Sequence, residues 1–281
     1  MRLGVFGLNS LAAHTPDSTV ALARQAESLG YESVWAGEHV VLPSPRVAPA
    51  PMEPGDPILD PLVHLAFVAG ATQRIRLGTG IIILPQRNPL VLAKQVASLD
   101  VLSNGRLMLG IGAGYLEPEL SAIGVPMAER GARTDEYIDA MRALWNDAAP
   151  AFHGHHADFA GVDAHPRPVQ PGGPPVVIGG HTPAAFRRAV ARGQGWYGFA
   201  LDVDTTSRCI DGLARAAKEV ERPATLGPLE ISVTPRGRSI DADTASRFAD
   251  LGVHRLVLYP LPMADVADVA RYLEAHAGLA S

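Results

Sequence analysis

Along this chain apolar residues fall into two alternating patterns: short unbroken runs, and longer stretches whose apolar positions recur every three or four residues. The runs read as strands buried on both faces, and the stretches as helices laid against them. Strands are predicted at 2–8, 33–37, 75–84, 106–111, 175–179, 196–200, 228–234 and 254–259. Helices are predicted at 16–29, 58–72, 89–102, 182–192, 204–220, 241–251 and 263–276, with a short helix at 116–123 and a longer one at 129–146 after the fourth strand. Thr15 or Pro16 opens the first helix and Gly30 closes it, following the preference for proline at a helix start and glycine just past its end.

Eight strand–helix units imply a parallel sheet covered by helices. A closed (β/α)8 TIM barrel is the first expectation and an open doubly wound sheet the second. The count of eight and the lack of any shift in composition favour one barrel domain over 1–281. Two stretches interrupt the repeat. Residues 40–57 are proline-rich and aperiodic, so they read as a long surface loop. Residues 148–173 are rich in His, Gly and Pro and read as an insertion carrying a short hairpin.

Composition narrows the function classes. With 281 residues, 47% hydrophobic and 19% charged, the chain can bury a large core. A net charge of −5 argues against a basic surface for nucleic acid. Cys209 is the only cysteine, which leaves no disulfide framework or multi-cysteine metal site and fits a reducing cytoplasm. No apolar run reaches the roughly 18 residues that a membrane span needs. The N-terminal apolar run is interrupted by Gly and Asn and then meets Pro16, unlike a secretory signal.

In a barrel, function sits in the loops that leave the C-terminal ends of the strands. The second strand ends in Glu38-His39; a histidine there can act as a general base or hydrogen-bond a cofactor, or be a satisfied half-buried residue. Gly78, Thr79 and Gly80 mark either a bulge that lets backbone approach a flat ligand or a tight barrel corner. Gly110-Ile111-Gly112-Ala113-Gly114-Tyr115 fails the G-x-G-x-x-G/A spacing of a dinucleotide loop, whether counted from Gly110 or Gly112. Gly179-Gly180-His181-Thr182-Pro183 leads directly into a helix. Thr182 can be its N-cap with Pro183 at the first helical position, and the segment is either a simple cap or a phosphate site on the free N–H groups, with Arg187 and Arg188 one turn later. The histidines at 153, 155, 156 and 165 invite a zinc reading, but their spacing presents no paired face and a solvated hairpin accounts for them.

Taken together, LGTGIIILPQRNPLVLAKQVASLDVLSNGRLMLGIGAGY (77–115), VWAGEH (34–39), ERGARTDEYIDAMRALW (129–145) and PPVVIGGHTPAAFRRAVARGQGW (174–196) resemble the bacterial luciferase-like monooxygenase superfamily. Within it the match is to the branch of oxidoreductases that use the deazaflavin coenzyme F-420. It covers most of the chain up to about residue 200. The resemblance implies a flavin-type ring held at the C-terminal mouth of the barrel. It implies a non-prolyl cis peptide in a bulge at Thr79, Gly80 and Ile81, and Ala113, Gly114 and Tyr115 lining the ring or its side chain. Phosphate binding falls to Gly179, Gly180, His181 and Thr182, a cofactor-side role to Glu38, and catalysis to His39. Tyr115 departs from the pattern, because some deazaflavin dehydrogenases place an acidic residue there. The implied activity is hydride transfer between F-420 and a small organic substrate, in a homodimer. Alternatives are an FMN-dependent monooxygenase, a flavin-binding protein without turnover and, outside the resemblance, a metal-dependent hydrolase.

Overall fold

A computed structural model describes residues 1–237, 240–260 and 265–280. Eight parallel strands form the barrel: β1 (Arg2–Phe6), β2 (Ser33–Ala36), β3 (Arg76–Thr79), β4 (Leu107–Gly112), β5 (Val176–Gly179), β6 (Gly195–Leu201), β7 (Glu230–Pro235) and β8 (Arg255–Leu258). Each pairs with the next, and β8 returns to β1 with Leu3 opposite Leu256. The sheet is therefore closed, and the open doubly wound alternative does not apply.

Helices α1 (Pro16–Ser28), α2 (Pro61–Ala71), α3 (Pro89–Leu102), α4 (Glu117–Ala122), α5 (Arg130–Asn146), α6 (Pro183–Arg192), α7 (Val203–Glu219), α8 (Ala242–Asp250) and α9 (Val266–His276) follow the strands. Four of them start at a proline preceded by a side chain that accepts hydrogen bonds from the first turn: Thr15, Asp60, Asn88 and Thr182. Proline fixes φ where its missing N–H costs nothing, and the cap takes one of the orphan donors. These starts lie where the chain leaves the strands, so capping also shapes the functional face. Among the described residues no helix is long and apolar enough to cross a membrane.

Apart from shifts of one or two residues at strand and helix ends, the departures from the sequence expectation lie in the third strand and at two helix starts. The run 75–84 is not one strand. It breaks after Thr79 at a cis Gly80-Ile81 peptide, resumes as a two-residue strand, Ile82–Ile83, beside the end of β4, and turns into a 3-10 helix, Leu84–Gln86. Helix α2 starts at Pro61 rather than 58, because Ile58 bridges to Ser10 and Asp60 caps. Helix α9 starts at Val266 behind its cap Asp265; the expected start at Met263 lies outside the described residues. The insertion does hold a hairpin, Phe152–His153 with Asp158–Phe159. Its return is anchored by buried Asp100, which accepts the N–H groups of Val169 and Gln170.

The barrel interior is packed with protein. Trp35, Met108, Val177, Tyr197 and Val257 form its centre, with Trp35 stacked on Tyr197 at 5.2 Å. At the strand starts, fully buried Arg255 donates to Glu32 at 2.7 and 2.9 Å, to Glu230 and to Ser232, and lies over the Trp35 ring. Burial opposes the charges of Glu32 and Glu230, but Arg255 holds both carboxyls below the usual range. This plug closes the end of the barrel away from the loops that carry function, where stability rather than chemistry is served.

His64 on α2 is buried with neither ring nitrogen bonded, and burial pushes its pKa down from 6.5 to about 4. A depressed histidine pKa means the unfolded chain binds more protons between those values, so stability falls as pH drops through that window. By pH 5 the loss is about 2 kcal/mol. Replacing His64 with leucine is expected to flatten this dependence and to raise stability at pH 7.5 as well, since two buried nitrogens no longer lack partners. Urea unfolding at pH 7.5 and 5 checks this; an unchanged pH dependence in the variant would contradict it.

Candidate active site

The C-terminal ends of β2, β3, β4 and β5 lie side by side, and the residues expected at the site gather there. Glu38, just past β2, is buried with both oxygens engaged. Oε1 accepts from Nε of Arg87 at 2.8 Å and from the Nη2 of the same guanidinium, and Oε2 accepts the Ile83 N–H at 2.6 Å. Arg87 also reaches Asp60, the cap of α2. Burial pushes the Glu38 carboxyl up, with Arg87 and the Ile83 N–H working the other way. Glu38 thus ties the β2 exit to the segment beyond the cis peptide.

His39 points to a different carboxylate. Its Nδ1 lies 2.8 Å from Oε2 of Glu119, and Oε1 of Glu119 accepts the Val40 N–H at 2.7 Å. Glu119 comes from α4 and its side chain is 1% exposed. A carboxylate oxygen facing Nδ1 suits the tautomer that carries its proton there and keeps a lone pair on Nε2. No protein group among the described residues bonds Nε2, and it is not a sealed, unpartnered atom. Tyr115 stands edge-on to the His39 ring at 6.0 Å and is half exposed.

The glycines of β3 and β4 make room chiefly for the protein itself. A Cβ on Gly78 would lie 2.5 Å from the Trp35 ring, and one on Gly110 only 1.8 Å from the Thr79 carbonyl oxygen. Cβ atoms on Gly112 and Gly179 would each meet the Ile81 side chain at 2.8 Å. Thr79 is buried, its hydroxyl donating to the Gly110 carbonyl at 2.6 Å. Ile81, directly after the cis bond, is partly exposed and covers Gly112 and Gly179. Ala113 is half-buried, and Gly114 takes φ +82 with Leu120 and Ile83 behind it.

A model of the luciferase-like monooxygenase family matches residues 1–276. The chain belongs to this family. An uncharacterized protein of Mycobacterium tuberculosis is 33% identical over 279 residues, 96% of each chain. The F-420-dependent glucose-6-phosphate dehydrogenase of Amycolatopsis mediterranei is 31% identical over 216 residues, covering 73% of this chain and 62% of that one. A monooxygenase from Streptomyces bottropensis has the same fold, with a TM-score of 0.80 over 99% of this chain and 98% of its own at 23% identity.

For the flavin-type group that a luciferase-like barrel implies, the donor set at the start of α6 fits an anionic tail. Gly180 takes φ +123, Thr182 caps Ala185, and Pro183 contributes no N–H. The N–H groups of His181, Thr182 and Ala184 have no protein partner among the described residues, and they sit at the positive end of the helix dipole. His181 accepts the Phe199 N–H on Nε2, and burial lowers its pKa, which favours the neutral ring. The two arginines point elsewhere. Arg187 pairs with Glu219 on α7 and Arg188 with Asp135 on α5, so neither is free to add its charge to an anion here.

Of the insertion's histidines, His153 pairs with Asp158 and His165 with Asp163 at the surface, whereas the His156 side chain is only 6% exposed, 3.8 Å from Glu129, so solvation does not account for it. Among the described residues no group of three or more His, Cys, Asp or Glu is placed to hold a metal ion. Two residues that hold Glu38 and His39 in place, Arg87 and Glu119, have no signal of their own in the sequence reading. Arg87 carries no motif. Glu119 lies four residues after Tyr115, and that nearness to the expected acidic position was the available clue.

Proposed function

We propose that this protein is an oxidoreductase that moves a hydride between a small organic substrate and coenzyme F-420, with His39 moving the accompanying proton. The observation that carries this reading is the Glu119–His39 pair at the mouth: a carboxylate fixes the ring through Nδ1 and leaves Nε2 available. The deazaflavin, when bound, supplies a ring carbon that takes or gives a hydride. The chain's own part is positional and electrostatic. Thr79, Gly80 and Ile81 would hold the ring from the β3 side, and Ala113, Gly114 and Tyr115 would hold it or its side chain from β4. Gly179, Gly180, His181 and Thr182 receive the phosphate through backbone N–H groups. In the oxidising direction the substrate C–H leaves as hydride and the O–H proton passes to Nε2 of His39; the reverse returns that proton to the carbonyl oxygen.

The identity to an F-420-dependent dehydrogenase supports this cofactor. A 31% identity over 179 residues, 63% of this chain, to the oxygenase component of a flavin-dependent trigonelline monooxygenase of Acinetobacter baylyi supports FMN and oxygen as the second reading. Titrating the purified protein with F-420 and with FMN side by side separates them. F-420 is expected to bind at least about tenfold more tightly; tighter binding of FMN would overturn the assignment.

A further inference from the structure

Successive residues of a strand point to opposite faces, so the inner face of this barrel can be followed to its upper rim. On β1 the inward positions are Gly4 and Phe6; on β6, Tyr197 and Phe199; on β8, Val257 and Tyr259. The rim is divided. From β2 to β5 it is built of Gly37, Gly80, Gly112 and Gly179, covered by Ile81 and Phe6. From β6 through β8 to β1 it is aromatic. Phe6 meets Phe199 at 5.1 Å and Tyr259 at 5.0 Å, and Phe199 meets Tyr259 at 5.9 Å.

Phe199 is presented by a distortion. Between Gly198, opposite Val233, and Leu201, opposite Pro235, β6 carries one residue more than β7. Ala200 within this bulge takes φ +57, a left-handed conformation that costs a residue with a Cβ of order 1 kcal/mol. Bulges re-aim side chains, and this one leaves Phe199 37% exposed. The geometry is held in place: His181 accepts the Phe199 N–H, and the Arg236 N–H and Nε donate to the Leu201 and Ala200 carbonyls. An ordinary strand would remove both the backbone cost and the exposed ring, so the exposure needs a use. On the β2 to β4 side of the mouth the cations are already paired, Arg87 with Glu38 and Asp60, and Arg130 with the Gly114 and Met127 carbonyls, and Arg236 spends its Nε on the Ala200 carbonyl of the bulge.

We infer that Phe6, Phe199 and Tyr259 form the substrate subsite, and that the substrate is an uncharged, ring-bearing alcohol or carbonyl compound. This rests on the proposed function for its chemistry, but binding to the wall is separable from the cofactor. Edge-on rings offer a flat apolar substrate the contacts it prefers, and the two phenylalanines offer a phosphate or carboxylate no hydrogen-bond donor.

The experiment is ligand-observed NMR on the purified protein without added cofactor, using cyclohexanone, benzaldehyde and glucose 6-phosphate as probes. Saturation transfer to the two ring carbonyls and none to the sugar phosphate is expected. Phe199→Ala should weaken ring binding about tenfold, and Phe199→Leu should restore part of it. The melting temperature should fall in Phe199→Ala, because its ring packs on Phe6, Tyr197 and Tyr259, and less in Phe199→Leu, while both variants stay folded at 25 °C by circular dichroism. Preferential binding of glucose 6-phosphate, or ring binding unaffected by Phe199→Ala, would overturn the inference. Failure of F-420 to bind in the separate titration would overturn the proposed reaction while leaving this result standing.

Discussion

Replacing Gly110 with alanine is expected to be among the most damaging single-methyl changes available in this barrel. The new Cβ would stand 1.8 Å from the Thr79 carbonyl oxygen and 3.0 Å from its carbon. Both are backbone atoms of the adjacent strand, so no rotamer change relieves the clash; β3 and β4 must separate, and the Thr79 hydroxyl bond to the Gly110 carbonyl goes with them. Overpacking a core with movable side chains costs about 1–3 kcal/mol, and a backbone clash belongs at or beyond the top of that range. Against a total stability of roughly 5–15 kcal/mol, this is enough to lower the urea midpoint substantially. Gly55→Ala is the control, since a Cβ there meets nothing within 4 Å. A Gly110→Ala midpoint matching that of Gly55→Ala would contradict the packing described.

The second large effect is on chemistry. With F-420 bound and a turned-over substrate in hand, His39→Ala is expected to lower kcat by about 10²- to 10⁴-fold, the usual worth of a positioned acid–base group. Cofactor affinity should change little, because His39 bonds Glu119 and not the phosphate end of the site. Glu119→Gln should give a smaller loss, about tenfold, at nearly constant KM. The amide keeps the shape but has one acceptor oxygen, so it can satisfy either His39 Nδ1–H or the Val40 N–H, and not both. Turnover unchanged in His39→Ala with the cofactor still bound would remove the histidine from the mechanism.

Much of the fold is legible because a parallel barrel writes itself as buried apolar runs separated by capped helices. The Thr15-Pro16, Asp60-Pro61, Asn88-Pro89 and Thr182-Pro183 steps mark helix starts within a few residues. The interruption of the third strand is invisible to periodicity, since Ile81, Ile82, Ile83 and Leu84 prolong an apolar run whichever way the backbone turns. The glycines were legible as special positions but not for their main purpose. At Gly78 and Gly110 the space is filled by Trp35 and by a neighbouring carbonyl, and at Gly112 and Gly179 by Ile81.

Pairing across the barrel is where sequence falls silent. Nothing local to His39 announces a partner eighty residues away on α4. Arg187 and Arg188 look like phosphate ligands one turn into α6, yet consecutive helical positions diverge by about 100°, which carries them to α7 and α5 instead. In the other direction, the resemblance placed the cis peptide at the segment Thr79 to Ile81, and it falls at Gly80-Ile81.

Hydride transfer to a deazaflavin is the centre of this account, and an anaerobic reaction tests it most directly. The purified protein, oxidised F-420 and a panel of ring-bearing secondary alcohols, cyclohexanol among them, are mixed under nitrogen. The account predicts loss of the oxidised deazaflavin's absorbance, with one equivalent of ketone formed for each deazaflavin reduced. No loss with any alcohol under nitrogen, together with oxygenated product only when reduced FMN and oxygen are supplied, would contradict it.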